Sequence, residues 1–461
     1  MSVLAAFAVP HPPIILPEVG KGEEIRIQKT SEAYSETARR IARLRPDTVV
    51  ITSPHATAYS DYIHISPGVS AKGDMGSFRA KSVRVEAAYD TEFAKLTAFL
   101  AEEAGIPAGT MGEREPKLDH GTIIPLYFLN QEYRDYRLVR IGLSGLPPAE
   151  HYRLGKCIAK AADRLSRRTV VIASGDLSHK LEKDGPYGFA KEGPAFDALV
   201  TEAFAKGDFL SLLTIPEELS EAAAECGLRS FQIMAGALDK KAVQSELLSY
   251  EGPFGVGYGV AAFEVTGEDD SRAFDALAEN RERKALESQK AGEDAYVRLA
   301  RHSLEHFVKT GKQAALPEDV PAELLERRAG AFVSLKEHGR LRGCIGTIEP
   351  TAKNLAYEIM RNAVAACSED PRFDPVQEEE LERLVYSVDV LGAPEEIGDK
   401  DLLDPARYGV IVQSGGRRGL LLPDLAGVDT VEKQIAIARQ KAGIGADEKV
   451  RLFRFEVMRH K

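Results

Sequence analysis

Four histidines in the first 180 residues stand where chemistry would want them. His11, His55 and His179 each follow a short apolar run, at residues 3–9, 48–52 and 169–173, that reads as a β-strand. In an open α/β sheet, ligands bind beyond the carboxyl ends of the strands, so side chains far apart in the chain can converge there. His120 opens a polar turn, Asp119-His120-Gly121-Thr122, ahead of an apolar stretch. Neutral imidazole is the commonest side-chain ligand for a transition metal and the usual acid–base group near neutral pH. The pattern predicts a mononuclear metal site. Prolines and small residues set the local backbone: His11 lies in Pro10-His11-Pro12-Pro13, His55 follows Pro54, and His179 closes Ser174-Gly175-Asp176-Leu177-Ser178-His179. His64, in an alternating run, and His151, at a helix start, read as structural.

The elements that must position these residues alternate along the chain. Helical patterns at 31–44 and 150–166 precede the second and third of the strands, and further strands are predicted at 82–86 and 136–141. A glycine-rich segment at 252–260 leads into a last strand ending near Val265. This predicts an α/β domain over residues 1–265, a central mostly parallel sheet with flanking helices. Residues 266–292 are dominated by charged and polar side chains and read as a solvated polar linker, helical in part. Residues 293–461 read as an α+β domain. It has hairpins at 331–335/340–345 and 409–413/419–422, an alanine-rich helix at 354–367, a strand at 384–391, a helix at 430–442 and a closing strand at 450–457.

A chain of 461 residues is too long for one ordinary core. Its 71 acidic and 60 basic residues give a net charge of -11, which argues against a surface that tracks nucleic-acid phosphates. The four cysteines, Cys157, Cys226, Cys344 and Cys367, are too scattered for a disulfide framework and favour a reducing cytoplasm. The apolar start lacks a basic region and is interrupted by prolines, so it does not read as a signal peptide. No apolar run approaches a membrane span.

The segments His11-Pro12-Pro13, Ser53-Pro54-His55-Ala56, Asp119-His120-Gly121-Thr122 and Ser174-Gly175-Asp176-Leu177-Ser178-His179, in this order, resemble class III extradiol ring-cleaving dioxygenases of the LigB type. They resemble the related Memo-like proteins equally. In the ring-cleaving relatives two histidines and a glutamate hold Fe(II) and leave positions open for catechol and dioxygen. The resemblance implies that His11 and His55 are metal ligands, that His179 is the acid–base residue, and that His120 shares the catalytic pocket in the substrate shell. At the third-ligand position the chain departs from the dioxygenases. Alignment places Cys226 there, as in Memo-like proteins, with Glu225 as the alternative if the register slips by one. A thiolate shifts metal preference from Fe(II) toward Zn or Cu.

In the second half, Leu341-Arg342-Gly343-Cys344-Ile345-Gly346-Thr347 resembles the signature of the AMMECR family, and Asp370-Pro371-Arg372-Phe373, Tyr408-Gly409-Val410 and Gln440-Lys441-Ala442-Gly443 agree in order. Arg342, Cys344, Arg372 and Lys441 are the polar and nucleophilic members that a site there would use. Memo-like and AMMECR parts together resemble the AmmeMemoRadiSam system, whose third member is a radical-SAM protein. This chain lacks a CxxxCxxC cluster motif, so iron–sulfur chemistry would belong to a separate partner. The expectation is a metal-dependent oxidoreductase acting on a small, aromatic or related molecule. The alternative is a non-catalytic metal- or peptide-binding or redox module serving a radical-SAM partner. Self-association into a homo-oligomer is compatible with either.

Overall fold

The strands Thr48–Ser53 and Thr169–Ser174 are buried at all six of their positions, which requires cover on both faces of their sheet. The computed structural model, which describes residues 2–114, 117–425 and 427–461, supplies that cover. Six strands form one mixed sheet in the order Arg137–Gly142, Thr48–Ser53, Thr169–Ser174, Val3–Val9, Tyr258–Glu268, Lys241–Glu251. The first four run parallel and the last two antiparallel. On one face Phe7, Ile51 and Ile172 pack against the helices Gln28–Leu44 and His120–Glu132. On the other, Ala6, Val50 and Val171 pack against Pro148–Leu165 and Leu228–Ala237. The Gln28–Leu44 helix buries Tyr34, Ala38 and Ile41, the spacing of one helical face. The two helices on the far face touch backbone to backbone. A Cβ on Gly155 would lie 2.1 Å from the Ile233 carbonyl oxygen, so only glycine fits. With four parallel strands, Val9, Ser53 and Ser174 reach the same edge of the sheet.

Three features of this half differ from the sequence expectation. Residues 82–86 lie within a strand, Ala80–Ala88, that leaves the central sheet and pairs with Ser70–Met75 in a separate ribbon. Lys241–Glu251 is a long edge strand whose half-exposed residues give it only a weak apolar alternation. Within the stretch read as a linker, the last strand continues to Glu268 and residues Phe274–Gly292 form a helix. Its alanines, leucines, glutamates and lysines favour helix whatever their polarity, and Arg283 faces Glu287 one turn on.

The chain divides into two compact units, Met1–Arg281 and Glu282–Lys461, with the division inside this helix. The second unit has two antiparallel four-stranded sheets. One has the order Arg340–Gly346, Ala331–Glu337, Leu384–Leu391, Val457–His460, and the other Glu395–Ile397, Arg451–Phe455, Gly409–Ser414, Arg417–Leu421. The helices Ala295–Thr310 and Leu355–Ser368 cover the first sheet, the latter capped by the Asn354 side chain on Tyr357 N. The closing strand expected at 450–457 is two strands in different sheets. The chain crosses between them at Glu456, whose carbonyl oxygen accepts from Gly392 N. Among the described residues no helix is long and apolar enough to cross a membrane.

The buried clusters of each unit draw no member from the other. Residues 1–281 and 293–461, expressed separately, are therefore each expected to unfold in one cooperative urea transition followed by circular dichroism. Absence of a cooperative transition in both would show that the cores are not self-sufficient.

Candidate metal centre

The edge of the sheet gathers the histidines. His11 leaves the Val3–Val9 strand through Pro10 and is 2 % exposed. Its backbone N–H donates to Asp176 Oδ1 at 2.7 Å, and its Nδ1 lies 3.0 Å from Ser174 Oγ. These contacts fix the ring and turn Nε2 outward. His55, exposed, brings its Nε2 to 3.0 Å from His11 Nε2. The ring of His120 lies 4.0 Å from that of His55 and 5.4 Å from that of His11, centroid to centroid. His120 is the first residue of its helix. Asp119 caps that helix, accepting from Thr122 N, and also accepts from Ser53 Oγ at 2.6 Å. Gly121 leaves room for this: a Cβ there would lie 2.4 Å from Ser53 Oγ.

The remaining donors come from two loops whose backbones touch. A Cβ on Gly175 would lie 2.1 Å from the Cα of Gly227. That approach sets Cys226 Sγ 3.7 Å from His11 Nε2 and within 3.3 Å of Asp176 N, which donates to it. Two sets of side chains therefore have donor atoms close enough to share an ion, His11 with His55 and His120, and His11 with Asp176 and Cys226. Glu225 turns elsewhere. Its carboxylate accepts from Leu228 N at 2.6 Å at the start of the Leu228–Ala237 helix, and it belongs to neither set. His179 stands beside the cluster, with its ring edge-on to Tyr187 at 5.1 Å and its Nδ1 buried without a hydrogen-bond partner among the described residues. It lies within electrostatic range of both His11 and Asp176.

The protonation states suit a cation. Burial, reinforced by His55, pushes His11 down to about 3, and burial with the neighbouring imidazoles does the same to His120. Both rings are neutral near pH 7, as ligation requires. Burial raises Asp176 to about 6 and Glu225 to about 7, and burial followed by Asp176 raises the Cys226 thiol well above its ordinary value. A divalent ion would supply the positive charge that the carboxylate and thiol lack. Asp176 was not among the ligands expected from sequence. Its signal was its place beside Gly175 in the loop after a strand, where a carboxylate also serves as a backbone cap. His151 is a satisfied core residue, with Nδ1 3.1 Å from Pro147 O and Nε2 3.3 Å from Ser144 Oγ.

Beside the histidines opens a cleft of about 330 Å³, walled by His55, His120, Met75, Phe78, Lys117 and Arg140. The ribbon that left the central sheet supplies Met75 and leads into Phe78, whose ring meets that of His120 edge-on at 5.1 Å. Arg140 is held by Ser66 Oγ and the Lys117 carbonyl oxygen, with Asp119 3.9 Å away.

Residues 5–261 match the family model described as the catalytic LigB subunit of aromatic ring-opening dioxygenase, and residues 297–460 match the AMMECR1 model. The chain belongs to the LigB family, fused to an AMMECR1 domain. Protein CA_C1420 of Clostridium acetobutylicum is 41% identical over the full length of both chains. A Thermotoga maritima protein is 55% identical over 37% of this chain and 99% of its own. The crystal structure of uncharacterized protein PH0010 from Pyrococcus horikoshii is 34% identical, covers 36% of this chain and 88% of that one, and has a TM-score of 0.34.

The AMMECR1 domain brings its own sequence-selected residues together in part. Cys344, half-buried, lies opposite Ser334 in the strand pair, and Ser334 Oγ donates to its sulfur at 3.2 Å. Arg372 clamps Asp370 through two nitrogens, at 2.9 and 2.6 Å, and Asp370 also accepts from Cys344 N. Lys441 feels the charges of Cys344 and Arg372. Arg342 is committed to Glu380, which it grips at 2.6 and 3.1 Å.

The loop that carries His179 in the LigB unit is anchored by a buried carboxylate. Asp197 accepts from Ser178 N at 2.8 Å and from Tyr250 Oη at 2.7 Å. Burial raises it to about 6, against the pull of those two donors. Between an unfolded value near 3.9 and about 6, the folded chain keeps a proton that the unfolded chain loses, so stability falls as pH rises through that window. Asp197→Asn retains an acceptor and removes the buried charge. It is expected to gain roughly 1–3 kcal/mol at pH 7.5 and almost nothing at pH 4, read from urea melts at the two values. Gly175→Ala should do the opposite at every pH, destabilising the LigB unit by more than 1 kcal/mol through the clash with Gly227.

Proposed function

We propose that the LigB unit binds one divalent metal ion at His11, drawing its other ligands from His55, His120, Asp176 and Cys226, and acts as a metal-dependent oxidoreductase on a small aromatic or enolic molecule. The observation that carries this is the pair of imidazole nitrogens 3.0 Å apart, with a thiol sulfur 3.7 Å from one of them. Two bonds of about 2.1 Å span such a gap, and neutral imidazole, thiolate and carboxylate are all transition-metal donors. Fe(II) is the ion expected from the family, with Zn or Cu favoured by the thiolate.

A metal held by these residues would supply Lewis acidity toward a phenolic or enolic oxygen. The residues supply the rest. Phe78 and Met75 offer apolar faces to a ring. Arg140 and Lys117 offer positive charge to an anionic substituent. His179, whose Nδ1 has no partner among the described residues, accepts the phenolic proton.

A second reading rests on Cys226. A thiolate in place of a carboxylate favours a metal-binding or redox module that serves a radical-SAM partner and cleaves no ring itself. Metal content of anaerobically purified variants separates the readings, together with dioxygen uptake on catechols by the iron-loaded protein. Cys226→Ser is expected to weaken metal retention by about 10–100-fold, with Glu225→Gln close to the parent. Loss in Asp176→Asn with retention in Cys226→Ser would give a two-histidine, one-carboxylate set and strengthen ring cleavage. Retention in His11→Ala, His55→Ala and Cys226→Ser alike would overturn the metal centre.

A further inference from the structure

The AMMECR1 domain contains a second cluster of reactive groups, remote in sequence from the metal centre and unused by it. Its centre is the sulfur of Cys344. The Ser334 hydroxyl donates to that sulfur at 3.2 Å across the strand pair. The Arg372 guanidinium bonds the Cys344 carbonyl oxygen at 3.3 Å and reaches the side chain as well. Burial lowers the Lys441 ammonium, at the end of the Val431–Lys441 helix, from its ordinary value, with Cys344 opposing and Arg372 reinforcing that shift, which puts it in electrostatic range of both, and it makes no ion pair with the described residues. Among the described residues, the carboxylate in direct contact is Asp370. It is turned away from the sulfur, spent on Cys344 N and on the fork of Arg372. Three separate elements thus bring one hydroxyl and two cations toward a single half-buried thiol on a fourth.

We propose that Cys344 is the nucleophile of a second site, which takes a small electrophile bearing a carboxylate or phosphate. Arg372 and Lys441 attract and orient the anionic group, and Ser334 directs the sulfur. In the reaction the bond from Sγ to the electrophilic carbon forms as the bond to the leaving group breaks. The leaving group departs with the electron pair, and the thiol proton passes to water. No oxidant or reductant is needed.

Paired alkylating reagents of similar size, one anionic and one neutral, test this on the full-length protein. Iodoacetate is anionic and iodoacetamide neutral, and both expel iodide from a methylene carbon. The rate of each at Cys344 is read by peptide mass spectrometry, with the same cysteine in the urea-unfolded chain as reference. The folded protein is expected to favour iodoacetate by about tenfold more than the unfolded chain does. Lys441→Met and Arg372→Gln should each bring the preference back toward the unfolded value, and 1 M salt should do the same in the parent. Lys441 is exposed, so Lys441→Met keeps the test decisive even where Arg372→Gln disturbs Asp370. A folded preference no greater than the unfolded one, or one that both variants leave intact, would overturn the proposal.

Discussion

The candidate metal centre depends on two backbones meeting without side chains between them. Gly175 ends the Thr169–Ser174 strand, Gly227 precedes the Leu228–Ala237 helix, and any Cβ on the first would collide with the second. From that contact follow the position of Cys226, the bond from Asp176 N to its sulfur, and the placement of Asp176 under His11. The parallel sheet brings the strand ends to one edge. The glycine contact brings the loop from the other side of the chain onto them. Without it the histidines would share an edge with no anionic donor.

The centre is graded from dry to wet. His11 is enclosed, Cys226 and His120 are half-buried, and His55 faces solvent. Burial keeps the imidazoles neutral and the thiol protonated until a cation arrives, and it raises Asp176 to about 6. The same desolvation that opposes charge in the empty cluster strengthens every interaction with an ion inside it. The cost of holding these groups ready is met by packing beneath them. Both faces of the sheet are covered, so the strand ends that carry the ligands have little freedom to relax.

Much of this was legible in the chain. His11 and His55 announce themselves by proline-set turns after apolar runs, and order of motifs named Cys226. The choice between Cys226 and its neighbour was not legible, because one residue of slippage leaves the motif intact. Only the backbone bond from Leu228 to Glu225 shows which side chain faces away. Asp176 was visible as a loop former and hidden as a donor, since a capping carboxylate and a liganding one look alike in sequence. His120 looked like part of a substrate shell. The cap by Asp119 at the helix start turns its ring against His55 and within ligand distance. Elements failed where polarity misled. The charged stretch before residue 292, read as a linker helical only in part, is one continuous helix over Phe274–Gly292, and the half-exposed edge strand Lys241–Glu251 carries too little alternation to read.

The crossing at Glu456 has a consequence for synthesis. Arg451–Phe455 is an interior strand of one sheet and Val457–His460 an edge of the other, so a single stretch of ten residues stitches both. A chain that emerges from the ribosome in order presents Gly409–Ser414 and Glu395–Ile397 with their hydrogen-bonding edges bare until that stretch is released, because each pairs with Arg451–Phe455. The second unit therefore matures in one late step, while the LigB unit upstream already has every strand of its sheet. During that interval the unfinished half is the part of the molecule that a chaperone or protease would find.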